Sequence, residues 1–412
     1  MSFLPKRTAI VVFLAFAFAY FFSTLIRAIT ATLSPILTQE FALKASDLGL
    51  LAGVYFLGFA ALQLPLGTWL DRYGPKQVIF GFMSMAVVGC LAFAWATSFT
   101  GLLAARLLCG LGVSACLMAP LTAYRRWFSA NLLLRANSWM LMSGSLGMVA
   151  STLPVQWLMP LVGWRVLFLG LAGMALFAMV LITWQVPSWA LDAAPRDPQV
   201  APQSASYAEV WCHPYFRKMA PMGFFCYGGM IAIQTLWAVP WMTQVAAYSP
   251  LQASRGLFWL NVAMLFTFWT WGLVNPWLVR RGIDANHLIR YGMPSSFLLL
   301  ALIVSSGQGS GMWSATLWTV YCMSCTFVAL AQPSVAMAFK PALAGRALSA
   351  YNLVIFSGVF AVQWGIGLAI EGFRGLGFTE IQGFQAAMGT FLMCSVASYL
   401  YFLIAKSHNQ TI

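Results

Sequence analysis

Residues 6–35 read Lys6-Arg7-TAIVVFLAFAFAYFFSTLI-Arg27-AITATLS-Pro35. The 19 residues between Arg7 and Arg27 carry no charge. About 20 mostly apolar residues are needed for a helix to cross a bilayer. Two basic residues before an apolar run also suit a signal peptide. However, this run is long, holds Arg27, and is followed by many others, so the expectation is an uncleaved first span.

Outward from that stretch the pattern repeats. Spans are expected at 9–33, 47–69, 77–97, 101–123, 137–160 and 165–187, and again at 219–243, 255–279, 286–306, 312–336, 348–370 and 384–405. Only 8% of residues are charged, against about 25% in a soluble domain. A soluble fold of this size could not cover its surface. The expected fold class is therefore an all-α membrane protein of about twelve transmembrane helices in two pseudo-symmetric six-helix bundles. The expected domains are 1–187, a cytoplasmic linker at 188–218, and 219–412. The linker holds Asp192, Asp197 and Glu209, three of the nine acidic residues.

Net charge is +13, but the basic residues fall in ones and twos between apolar runs. This distribution argues against nucleic acid and for topology-setting loops. With a cytoplasmic N-terminus, 16 Lys and Arg fall on the cytoplasmic side, 4 on the other, and Arg27 and Arg106 within spans. Both termini are therefore expected in the cytoplasm, with the chain in the inner (plasma) membrane. Seven of the eight cysteines lie in apolar stretches and read as small buried residues rather than disulfides or metal ligands.

The halves echo each other. Tyr20 and Arg27 match Tyr227 and Gln234 at an offset of 207, and Gly67 matches Gly272 at 205. Arg135-Ala136-x-Ser138 recurs as Arg346-Ala347-x-Ser349. Duplication of a six-span unit places a solute site between the halves.

Between spans two and three stands Gly67-Thr-Trp-Leu-Asp71-Arg72-Tyr-Gly74-Pro-Lys76. It resembles the loop signature of the major facilitator superfamily, G-x-x-x-D-R-x-G-x-K/R. Arg106-Leu-Leu-Cys-Gly110-Leu-Gly112 and Gly163-Trp164-Arg165 are similar to that superfamily's fourth-span and sixth-span patterns. The resemblance implies secondary transport, with Gly67, Asp71, Arg72, Gly74, Lys76 and Arg106 as a conformational latch. The matching loop of the second half, Gly272 to Arg281, lacks the acidic residue. The fifth span has Gly144-Ser-Leu-Gly147 but not the full Gly-Pro signature of proton-driven drug exporters.

Arg27 is the most informative residue. An arginine at mid-span costs about 2.5–3.5 kcal/mol on insertion scales, so it faces a cavity or a partner. Tyr20, Ser23, Thr24 and Thr30 share its helical face. Its place before Pro35 resembles the first-span arginine of organophosphate–phosphate exchangers. Those carry a second arginine where this chain has Gln234. One fixed charge plus an amide suits a monoanion, carboxylate or zwitterion. The expected solute contacts are Arg27, Tyr20, Thr24 and Thr30 in the first span, and Tyr227, Gln234 and Trp237 in the seventh. Tyr321 and Gln332 join them from the tenth span, and Asn352 and Gln363 from the eleventh. Asn261 and Asn275 in the eighth are further cavity candidates from helical spacing, weighed against a role as interhelical hydrogen-bonding amides.

No Asp, Glu or His falls well inside an expected span, and Glu371, ending the eleventh, is the nearest. That disfavours cationic cargo and an intramembrane proton relay. No nucleophile–base pair, phosphate loop or metal cluster is visible, so no catalytic or metal residue, no cofactor and no enzyme activity is expected. The function expected is a secondary transporter moving a small anion or zwitterion by alternating access. The alternatives are an efflux carrier for lipophilic or neutral compounds and a non-transporting sensor on the same fold. The expected partners are the solute and the lipid bilayer, with the chain acting as a monomer.

Overall fold

The computed structural model describes residues 4–188 and 207–405. Among the described residues the chain is helical, with no strand. Nine stretches of the described residues are long and apolar enough to cross a membrane. The longest, Ala285–Met337, is two passes, turned at Gly307 and Gly311, whose φ values are +45° and +40°. Ala45–Ala61 and Ala130–Ala150 begin the second and fifth passes. Together these make twelve. Most of the expected linker lies outside the described residues. Its last part, Tyr207–Cys212, is a short helix.

Glycine makes two of the turns between passes. Gly74 has φ 78° and ψ 160°, which ends the second pass and aims Pro75 into the third. Gly163 has φ 73° and ψ 163° and does the same between the fifth and sixth. L-residues avoid positive φ at a cost that glycine does not carry. The fifth pass, expected as one helix over 137–160, breaks at Ser151 and Thr152 before Leu153. The seventh, Pro214–Val245, is π-helical over half its length, at Met222–Tyr227, Ile233–Trp237 and Trp241–Val245. Such wide turns recur at functional sites.

Glycine also sets how closely the helices approach. A Cβ at Gly147 would lie 2.2 Å from Thr24 Oγ1 and 2.3 Å from the Phe21 carbonyl oxygen. The fifth pass thus sits directly on the first. Gly147→Ala should lower the thermal unfolding midpoint of the purified protein by several degrees, because overpacking costs about 1–3 kcal/mol. Gly170→Ala, whose Cβ meets nothing within 4 Å, should leave the midpoint unchanged in the same melt.

The halves meet where the first pass packs on the seventh, the second on the eleventh, and the fifth on the eighth. At the end away from the termini this contact is tight. A Cβ at Gly49 would lie 2.4 Å from the Gln363 carbonyl oxygen, and one at Gly367 would lie 2.4 Å from that of Ala45. The Ser46 backbone N–H donates to Glu371 Oε1 at 2.8 Å. Ser254 Oγ donates to Gln156 Oε1 at 3.3 Å.

Candidate functional site

Below that seal a cavity of about 390 Å³ lies between the halves. Its walls include Leu141 and Phe268, which are 58% and 37% exposed. The cavity lies on the side of the seal that carries the termini. A second cleft, of about 410 Å³, lies on the far side of the seal and is lined by Lys44, Arg374 and Glu380 among others.

Arg27 lines the central cavity from the first pass. Its guanidinium carbon sits 5.1 Å from the Phe59 ring centre and 5.5 Å from that of Phe356. Those rings, on the second and eleventh passes, are 4.5 Å apart. Two aromatic faces from opposite halves thus hold the cation. Its Nε is buried with no hydrogen-bond partner. Among the described residues Arg27 makes no ion pair, and the acids nearest the membrane are engaged elsewhere. Glu40 accepts from Arg165 and from Trp164 Nε1, both at 2.7 Å. Glu371 holds Ser46.

Around Arg27 the cavity collects Tyr20 and Thr24 from its own helix, Tyr227 and Gln234 from the seventh, and Gln332 from the tenth. Thr24 Oγ1 donates to the Gly144 carbonyl at 2.7 Å, which ties this wall to the fifth pass. Gln332 Nε2 donates to Asn352 Oδ1.

The other expected contacts lie elsewhere. Thr30 is buried in helix packing. Trp237 is fully buried, donates from Nε1 to the Gln363 carbonyl at 3.0 Å, and lines the outer cleft. Gln363 is fully buried and donates to Thr235 Oγ1 at 3.0 Å. Both belong to the seal. Tyr321 is buried against Trp318, with ring centres 5.5 Å apart. Asn352 orients Gln332 rather than lining the cavity.

Other side chains with hydrogen-bonding groups also line the cavity. Asn261 lines the wall beside Gln234, and its intramembrane amide was the signal available. Trp271 donates from Nε1 to Thr326 Oγ1 at 2.8 Å, and both face the cavity. Nothing in an 18-tryptophan chain sets Trp271 apart from the interfacial ones.

The expected latch residues divide. Gly74 makes the turn described above. Gly67 has open space around it, and a Cβ there would meet nothing within 4 Å. Asp71 and Arg72 are exposed, Asp71 is engaged with a neighbour, and the Arg72 guanidinium lies 5.2 Å from the Tyr73 ring. Lys76 Nζ donates to the Val186 carbonyl at 2.9 Å, closing the loop onto the sixth pass of its own half. Arg106 belongs to no loop cluster. It is fully buried, donates to the Ile26 carbonyl at 2.9 Å, and lies 4.7 Å from the Tyr55 ring centre.

Twelve passes in two halves around a central cavity narrow the comparison, and the sequence profile of the Major Facilitator Superfamily matches residues 16–363. This chain belongs to that superfamily. The relatives it matches are transporters. It is 32% identical to the 4-hydroxybenzoate transporter PcaK of Acinetobacter baylyi over 158 residues, 38% of this chain and 34% of that one. It is 24% identical over 368 residues to the inner membrane transport protein YajR of Escherichia coli, covering 88% and 75% of the two chains. The match to PcaK spans about a third of that relative's length. The fold matches a bacterial homologue of the human lysosomal transporter Spinster, solved inward-facing and unoccupied, with a TM-score of 0.79, 16% identity and 98% of both chains covered.

Proposed function

We propose that this superfamily member carries a small organic monoanion or zwitterion across the inner membrane by alternating access, with Arg27 as the solute's counter-charge. The observation that carries the reading is the Arg27 guanidinium, which lines the cavity between the halves with no acid paired to it among the described residues. A cation held in low dielectric without a partner is an electrostatic vacancy for an anion. The name of the relative PcaK, a transporter of an aromatic carboxylate, supports the same chemistry. The loop charges, 16 against 4, support cytoplasmic termini, which puts the cavity on the cytoplasmic side of the seal. On this reading residues 1–187 and 219–412 are the two moving bodies and 188–218 their linker. Asp71, Arg72 and Lys76 then serve the cytoplasmic end during closure.

Proteoliposomes loaded with unlabelled benzoate should exchange it for labelled benzoate outside, and Arg27→Gln should stop the exchange. Exchange by Arg27→Gln at the wild-type rate would refute the anion reading.

A further inference from the structure

Opposite Arg27, the C-terminal half presents a hydrogen-bond chain whose direction is fixed at its origin. Asn261 Nδ2 donates to the Leu257 backbone carbonyl at 3.1 Å. A carbonyl can only accept, so the Asn261 amide is oriented with its oxygen turned to the seventh pass. That oxygen, Oδ1, accepts from Gln234 Nε2 at 2.7 Å. Both ends of the Asn261 carboxamide are thereby engaged. Gln234 has given its nitrogen to Asn261, and its Oε1 takes no hydrogen bond from a described residue. That oxygen is also not among the buried atoms without a partner, so it faces the cavity that Gln234 lines.

We propose that Gln234 Oε1 reads a hydrogen-bond donor on the solute. The cargo class is a hydroxy- or amino-substituted organic monoanion, with its anionic group on Arg27 and its O–H or N–H on Gln234. The inference rests on Arg27 as the counter-charge for the anionic end. Asn261 is a positioning residue, because it holds the Gln234 amide in the accepting orientation without facing the donor itself. An ether oxygen or a halogen at the same place leaves the acceptor unpaired and places a second acceptor against it, so such analogues are rejected.

The test is isothermal titration of the purified full-length protein with benzoate, 3- and 4-hydroxybenzoate, and the matching methoxybenzoates. One hydroxy isomer should bind about tenfold tighter than its methoxy counterpart, the effect of one hydrogen bond to an otherwise unpaired acceptor. Gln234→Met should erase that preference, so that the hydroxy and methoxy members of each pair bind alike. Asn261→Leu should erode it through the freed amide. Equal binding of each hydroxy and methoxy pair by the wild type would overturn the proposal without need of a variant. A preference that survives Gln234→Met would overturn it as well. Arg27→Gln separates the two readings. Loss of all probes together supports the shared counter-charge, whereas unchanged binding overturns the anion reading and the placement built on it. No binding of any probe by the wild type would overturn both.

Discussion

Leucine at both Gly49 and Gly367 is expected to hold the transporter open at the end opposite its termini and to reduce transport to background. Each glycine faces backbone across the halves, with a Cβ reaching 2.4 Å from a carbonyl oxygen of Gln363 or Ala45. Backbone in a packed helix cannot yield as a flexible side chain can. One such intrusion costs about 1–3 kcal/mol, whereas moving a two-state equilibrium from 1:99 to 99:1 takes about 5.5 kcal/mol. A single substitution should therefore shift the populations and slow turnover, and the pair should trap one state. Thr235 sits in the seal and is 1% exposed. In a Cys212→Ser background, Thr235→Cys should resist a membrane-impermeant maleimide added at that face. With both leucines present it should label fully. Resistance in the doubly substituted protein would mean that these contacts do not set the closed end.

Arg27→Gln is expected to weaken anion affinity about 10- to 150-fold, the equivalent of about 1.5–3 kcal/mol for hydrogen bonds to a charged group. Arg27→Lys should fall between, since an ammonium keeps the charge but not the planar fork. Stability should move the other way or stay level. A guanidinium that faces two rings but no acid, with a buried unpartnered Nε, contributes little to folding, and its removal relieves a desolvation cost. Binding isotherms and thermal melts on the same preparations check both parts. A lower melting point with unchanged affinity would mark Arg27 as structural.

The same asymmetry shows which parts of the site are legible in sequence. Helical spacing alone puts Tyr20, Thr24 and Arg27 on one face, and the offset of 207 finds Tyr227 and Gln234 across from them. Depth is another matter. Gln363 and Trp237 have plausible polar chemistry, yet they stand at the level where the halves are sealed, bonded to each other. Contacts between segments more than 300 residues apart, such as Gly49 with Gln363, decide where the cavity ends. No local pattern encodes that level. Arg106 shows the same limit, since periodicity marks it as intramembrane but not as a donor to the Ile26 carbonyl beside Arg27. The turns at Gly74 and Gly163 fall in the gaps between expected spans, where a glycine carries its own conformational reason.

A structure of the protein with a carboxylate bound tests the account most directly. The account places a carboxylate oxygen about 2.7–2.9 Å from an Arg27 nitrogen, the length of a charge-assisted hydrogen bond, in the cavity between the halves. An anion seated instead in the outer cleft by Lys44 and Arg374, with Arg27 still against Phe59 and Phe356, would contradict it.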